Sequence, residues 1–139
     1  GLNGYGVDAS PALVAAVRHN LPDVPIECES VLESSFFNRT FDAVLAWGLM
    51  FLLLPEEQAQ FIQSVADILL PGGRFLFTSS TGTEPLVWTD AMTGLESRSL
   101  GAAEYRRLLS EVGLTVTRDY EDVGGCHYYD AVKGISANR

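Results

Sequence analysis

Seven residues, Phe41-Asp42-Ala43-Val44-Leu45-Ala46-Trp47, form a nearly continuous apolar stretch that is too short for a helix core. A run of that length and composition reads as a strand covered on both faces, the kind found in parallel sheets flanked by helices. The rest of the chain must then supply the covering helices. Ser10-Pro11 provides an N-cap and an N1 proline, and Leu13, Val14, Val17 and Leu21 recur at helical spacing until Leu21-Pro22 ends the pattern. Pro55, with Glu56 and Glu57 in the first turn, opens a second helix whose stripe is Phe61, Ile62, Val65, Ile68 and Leu69. Pro71-Gly72-Gly73 stops it, and an aromatic strand follows over 74–79. A third helix spans 102–112, with Tyr105, Leu108, Leu109 and Val112 on one face and Gly113 at its end.

Shorter strands complete the pattern. Residues 4–8 end in Asp8, and residues 26–29 carry two acids; a polar loop covers 34–40. Residues 114–120 and 127–133 alternate on either side of Gly124-Gly125, which reads as a hairpin, and residues 135–139 read as a frayed tail. Residues 80–100 are too long for a plain connector and carry Trp88 and Met92, so they read as a substrate-side binding loop or lid. The order of elements predicts an α/β fold, Rossmann-like: an open, mostly parallel sheet with a C-terminal antiparallel hairpin, in one domain over 1–139.

Charge and composition exclude several classes. Nine basic against 18 acidic residues give a net charge of −9, and Lys133 is the sole lysine, so no basic stripe exists for nucleic acid. The longest apolar run, 43–54, is about half of the ~20 residues that cross a bilayer, and residues 1–4 carry no secretory pattern. Cys28 and Cys126 are widely spaced without ligand-like neighbours, which points to reduced cytoplasmic thiols and to no metal site.

In open α/β sheets ligands bind at the carboxyl ends of strands, where Asp8 stands. A carboxylate there accepts hydrogen bonds from ribose hydroxyls; it is equally the acid expected near a helix N-terminus. Together, Gly6-Val7-Asp8-Ala9-Ser10-Pro11, Cys28-Glu29-Ser30-Val31, Phe41-Asp42-Ala43-Val44, Leu69-Leu70-Pro71-Gly72-Gly73-Arg74-Phe75 and the final hairpin resemble the class I S-adenosylmethionine-dependent methyltransferases over most of the chain. The resemblance implies that S-adenosylmethionine is the cofactor and that a methyl group passes to a small-molecule acceptor. It implies that Asp8 holds the ribose, with Ala9 and Leu13 bordering it, that Glu29, Ser30 and Val31 read the adenine, and that Ala46 and Trp47 line the methyl end. Met50, Trp88, His127 and Tyr129 become candidates for acceptor binding, with His127 also a possible general base. Trp88, Met92 and one of Tyr128 and Tyr129 could form an apolar acceptor wall, since alternation sends the two tyrosines to opposite faces. His19, near a helix C-terminus, suits the helix dipole instead.

One departure matters. The family's glycine-rich loop belongs about 20 residues before Asp8, and no such pattern occurs in this sequence. The expectation is an N-terminally truncated domain that lacks the family's first, central strand and has impaired activity. The family's second and fourth strands would then pair directly, or a homodimer, strand-swapped or edge-paired, would fill the gap. Two other readings stay open from sequence: a non-catalytic oligomerisation or interaction module of the same fold, and a fragment of a nicotinamide-dependent oxidoreductase.

Overall fold

Ser10 and Pro11 start the first helix as their chemistry demands. In the computed structural model, which describes residues 2–80 and 82–135, Ser10 Oγ accepts the Leu13 N–H and α1 runs over Pro11–Asn20. Residues 136–139 of the expected tail lie outside the described residues. Contacts group the chain into two compact units, Gly1–Arg39 and Thr40–Arg139.

In the first unit β1 (Gly6–Asp8) and β2 (Ile26–Cys28) pair in parallel, Asp8 opposite Cys28. The helical stripe is thinner than its spacing suggests: only Val14 of α1 is buried, while Leu13 and Leu21 are more than half exposed. A pair of three-residue strands offers a helix too little surface to cover more. The polar loop contains a left-handed turn, with Phe36, Phe37 and Asn38 all at positive φ. The Phe37 ring lies tilted against that of Tyr5 with centroids 5.1 Å apart, and the Arg39 guanidinium lies 4.6 Å from the Tyr5 ring.

The second unit is a four-stranded sheet in the order β3-β4-β8-β7, from β3 (Phe41–Ala46), β4 (Leu69–Ser79), β7 (Leu114–Glu121) and β8 (His127–Lys133). β3 and β4 are parallel, and β8 runs antiparallel to β4 and β7. Helices α2 (Pro55–Ile68) and α3 (Ala102–Glu111) carry the residues that meet one sheet face. There Phe61, Phe75, Phe77, Tyr105 and Tyr129 form a contiguous aromatic core with ring centroids 5.0–6.1 Å apart. Between β4 and α3 lies a second hairpin, β5 (Leu86–Thr89) with β6 (Glu96–Ser99).

Two expectations change. Pro71-Gly72-Gly73 does not separate helix from strand: β4 begins at Leu69 and carries the motif as a bulge, with Leu69 opposite Phe41 but Arg74 opposite Ala43. Gly73 is required, because a Cβ would stand 2.8 Å from Leu70 O and 3.0 Å from Asp42 O. β3 is not covered on both faces: Asp42, Ala43 and Leu45 are exposed, Leu45 by 65%. β3 has a hydrogen-bonded neighbour on one side only among the described residues, and both helices of its unit pack the face of Phe75 and Phe77. Within the units, β1 pairs with β2 and β3 with β4.

Candidate functional site

In a parallel pair all strands end at one edge, so Asp8 and Glu29 come to the same edge of the first unit from adjacent chains. The Glu29 N–H donates to Asp8 O at 3.1 Å, extending the ladder one step past the strands. Both acids are half-buried and held by the amides that follow them: Ser10 N–H donates to Asp8 Oδ1 at 2.8 Å and Ser30 N–H to Glu29 Oε1 at 3.0 Å. A carboxylate has room for about four hydrogen bonds, so each keeps acceptor capacity for a ligand. Ala9 is exposed beside Asp8, and Ser30 and Val31 are half-buried beside Glu29. Leu13 is 57% exposed on α1. Two fixed acceptors on adjacent strand ends match the donors of an adenosine, which offers a vicinal diol and an exocyclic amine. The residues present therefore fit the nucleoside part of S-adenosylmethionine.

The second unit has its own carboxyl edge, at the ends of β3 and β4. Ala46 is buried, whereas Trp47 is 58% exposed. The chain turns at Gly48, φ +69°, whose N–H donates to Thr78 Oγ1 at 2.8 Å. Met50, expected near the acceptor, is fully buried and belongs to the core. The ring of its neighbour Phe51 lies 5.6 Å from that of Trp88, a residue of β5. Met92 is 88% exposed, between the two strands of the β5–β6 hairpin.

The final hairpin sorts the remaining candidates by face. Tyr129 is fully buried, its hydroxyl donating to Ser80 O at 2.7 Å, so it too is core rather than acceptor surface. Burial, with smaller contributions from Tyr105 and Asp119, pushes its phenol up to about 12. Tyr128, on the other face, donates to Asp122 Oδ2 at 2.9 Å and stacks on Tyr120 at 5.1 Å. The Asp122 carboxylate holds the Tyr128 phenol above its ordinary value, burial adds to this, and the Trp47 indole opposes it.

His127 is 9% exposed; its Nε2 lies 3.1 Å from Asp119 Oδ1, and Arg106 holds the other oxygen of that carboxylate at 2.6 Å. His127 Nδ1 is buried without a partner. With Nε2–H donated to Asp119, Nδ1 is a bare acceptor. Periodicity and motif spacing did not single out Phe51, Gln58, Asp119 or Asp122. Only Gln58 left a signal, as a polar residue in the apolar stripe of α2.

Among the described residues no group of three or more His, Cys, Asp or Glu is placed to hold a metal, and no helix is long and apolar enough to cross a membrane. Cys28 and Cys126 are free thiols.

Comparison with known proteins gives the frame for these edges. Among solved structures, an S-adenosylmethionine-dependent methyltransferase from Clostridium acetobutylicum superposes with a TM-score of 0.78 at 13% identity, over 96% of this chain and 76% of that one. An amino pentose methyltransferase from Micromonospora echinaspora, solved with S-adenosylmethionine bound, gives 0.72 at 18% identity, over 93% and 73%. The 1,6-didemethyltoxoflavin-N1-methyltransferase of Burkholderia thailandensis gives 0.73 at 18%, over 95% of this chain but only 61% of that one. At these identities the likeness is one of fold, and it shows the Rossmann-like α/β architecture. No curated protein matches the sequence. The family model described as a methyltransferase domain matches residues 2–73, more than half of the chain, from before Asp8 through Pro71-Gly72-Gly73. The chain belongs to the methyltransferase-domain family.

Proposed function

We propose that this protein acts in methyl transfer from S-adenosylmethionine to a small-molecule acceptor. The observation that carries the reading is the pair of amide-anchored carboxylates, Asp8 and Glu29, at the shared carboxyl edge of β1 and β2 in a chain of this family. Asp8 holds the ribose hydroxyls, with Ala9 and Leu13 beside it, and Glu29 with Ser30 and Val31 holds the adenine edge. S-adenosylmethionine supplies a methyl group on a positively charged sulfur, open to in-line attack by a nucleophile. Within the second unit, Phe51 with Trp88 forms an apolar surface for a small-molecule acceptor. His127, oriented by Asp119 at Nε2 and with Nδ1 buried, is a positioning group rather than the base.

The acidic charge of −9 favours small acceptors over nucleic acid, and two unpaired thiols suit the cytoplasm. The similar solved structures include an amino pentose methyltransferase and a 1,6-didemethyltoxoflavin-N1-methyltransferase, both named for small-molecule acceptors. A homodimer, edge-paired or strand-swapped, would cover the exposed Ala43 and Leu45 of β3.

Calorimetric titration with S-adenosylhomocysteine tests the reading. Binding is expected, and Asp8→Ala should weaken it about 10- to 100-fold, the worth of hydrogen bonds to a charged group. No heat at millimolar ligand removes the cofactor assignment; unchanged affinity in Asp8→Ala removes Asp8 from it.

A further inference from the structure

Gln58 is fully buried in a helix stripe where an apolar residue would pack equally well. A buried amide is tolerated only when its hydrogen bonds are made, and here they are. Nε2 donates to Leu53 O and to Arg98 O, each at 3.0 Å, and Oε1 accepts from the Tyr105 hydroxyl at 2.7 Å. The single Tyr105 proton goes to Gln58, so Ser79 Oγ, 2.9 Å away, donates to the Tyr105 oxygen. The result is a directed chain from Ser79 at the end of β4, through Tyr105 of α3 and Gln58 of α2, to the backbone of β6 and of the turn after β3.

We propose that Gln58 is the positioning residue of the acceptor wall: it locks the β5–β6 hairpin over the carboxyl edge and so sets where Trp88 and Phe51 stand. The proposal rests on the methyl-transfer reading in calling that wall an acceptor surface. Arg98 O, the hairpin end of the chain, is one residue from Ser97, and Ser97 pairs with Trp88 across the ladder. Leu53 O, the other carbonyl, follows the short turn Met50–Leu52 that carries Phe51. One amide thus holds the backbones beneath both rings of the 5.6 Å aromatic contact. The stem of the insertion closes on itself, with Ala102 N–H donating to Gly82 O at 2.9 Å and Gly101 pressed so near Thr83 O that a Cβ would lie 2.4 Å away. Gln58 and the Phe51–Trp88 contact are two of the points at which the hairpin meets the body, beside the buried Ser97 and Ser99 of β6. The substrate class that suits such a wall carries its nucleophile on an apolar or aromatic frame, selected by the spacing that Gln58 imposes.

Hydrogen exchange on the full chain tests this, with Gln58→Met as the near-isosteric apolar variant and Tyr105→Phe as the companion. Gln58→Met loses both carbonyl bonds, so amides of 86–99 should exchange at least tenfold faster relative to those of β4 and β8. Tyr105→Phe keeps the bonds to Leu53 O and Arg98 O, so it should change that ratio less than threefold. Trp88 emission, taken as the difference from a Trp88→Phe protein, should shift to longer wavelength in Gln58→Met alone. A uniform rise in exchange across hairpin and sheet, or hairpin amides unchanged in Gln58→Met, overturns the proposal. None of these readouts involves cofactor, so failure of the S-adenosylhomocysteine titration and failure here are separate results.

Discussion

The sole lysine offers the sharpest test of how this fold is held together. Lys133 Nζ donates to Ala66 O at 2.6 Å and to Leu69 O at 2.7 Å, reaching from β8 to the C-terminal end of α2. The last four carbonyls of a helix lack intrahelical partners, and α2 has no basic residue of its own in its last turn. Lys133 thus satisfies one orphan carbonyl, bonds the capping residue and places a cation at the negative helix end. Lys133→Met keeps the stem and removes the ammonium. Hydrogen bonds to a charged group are worth about 1.5–3 kcal/mol each, and the dipole term about 0.3–1 kcal/mol. Because the site is half-buried, water can replace part of this, so the expected net loss is about 2–3 kcal/mol.

Urea denaturation should show that loss as a lower midpoint with an unchanged slope. The substitution also takes the net charge from −9 to −10, and a general repulsion of that kind would fade in salt. The contact argument requires most of the effect to persist at 0.5 M salt, where screening lengths fall to about 4–5 Å. A loss below about 0.5 kcal/mol, or one abolished by salt, refutes the reasoning.

Two further predictions concern the sheet. Tyr129 keeps its proton in the folded state up to about 12, whereas the unfolded chain releases it near 10; its contribution is full below pH 10 and is lost as pH rises toward 12. Denaturation series at pH 9 to 12 should show this decline, and Tyr129→Phe, which has no proton to lose, should flatten it; equal slopes in both proteins would contradict the assignment. For assembly, light scattering should give a dimer that Leu45→Lys, on the exposed face of β3, converts to monomer, whereas a monomeric wild-type chain at all concentrations removes the proposed homodimer.

Much of the local structure could be read from the residues because its causes are local. Ser10-Pro11 starts α1, Pro55 with two glutamates starts α2, and Gly113 at φ +87° ends α3 as a left-handed residue. Alternation assigned Tyr128 and Tyr129 to opposite faces, but only burial shows which of them is core. The same limit applies to Met50 and Phe51, neighbours of similar hydropathy, one fully buried and the other facing Trp88. Apolar continuity over Phe41–Ala46 correctly indicated a strand but not its coverage, because exposure depends on which elements lie beside it. The polar loop reading of 34–40 missed three left-handed residues, one of which, Phe37, packs on Tyr5 from a distant part of the chain.

The amino-acid order by itself determined element types, the acid at the end of the first strand and the family to which these segments belong. Those follow from periodicity, capping chemistry and motif spacing, all of which act over a few residues. Tertiary structure alone decided that Gln58 spends its amide on Leu53 and Arg98, that Asp119 fixes the His127 tautomer, and that Lys133 closes a helix 67 residues upstream. Each of these pairs groups distant in sequence, and a side chain's partner is set by the packing of sheet against helix.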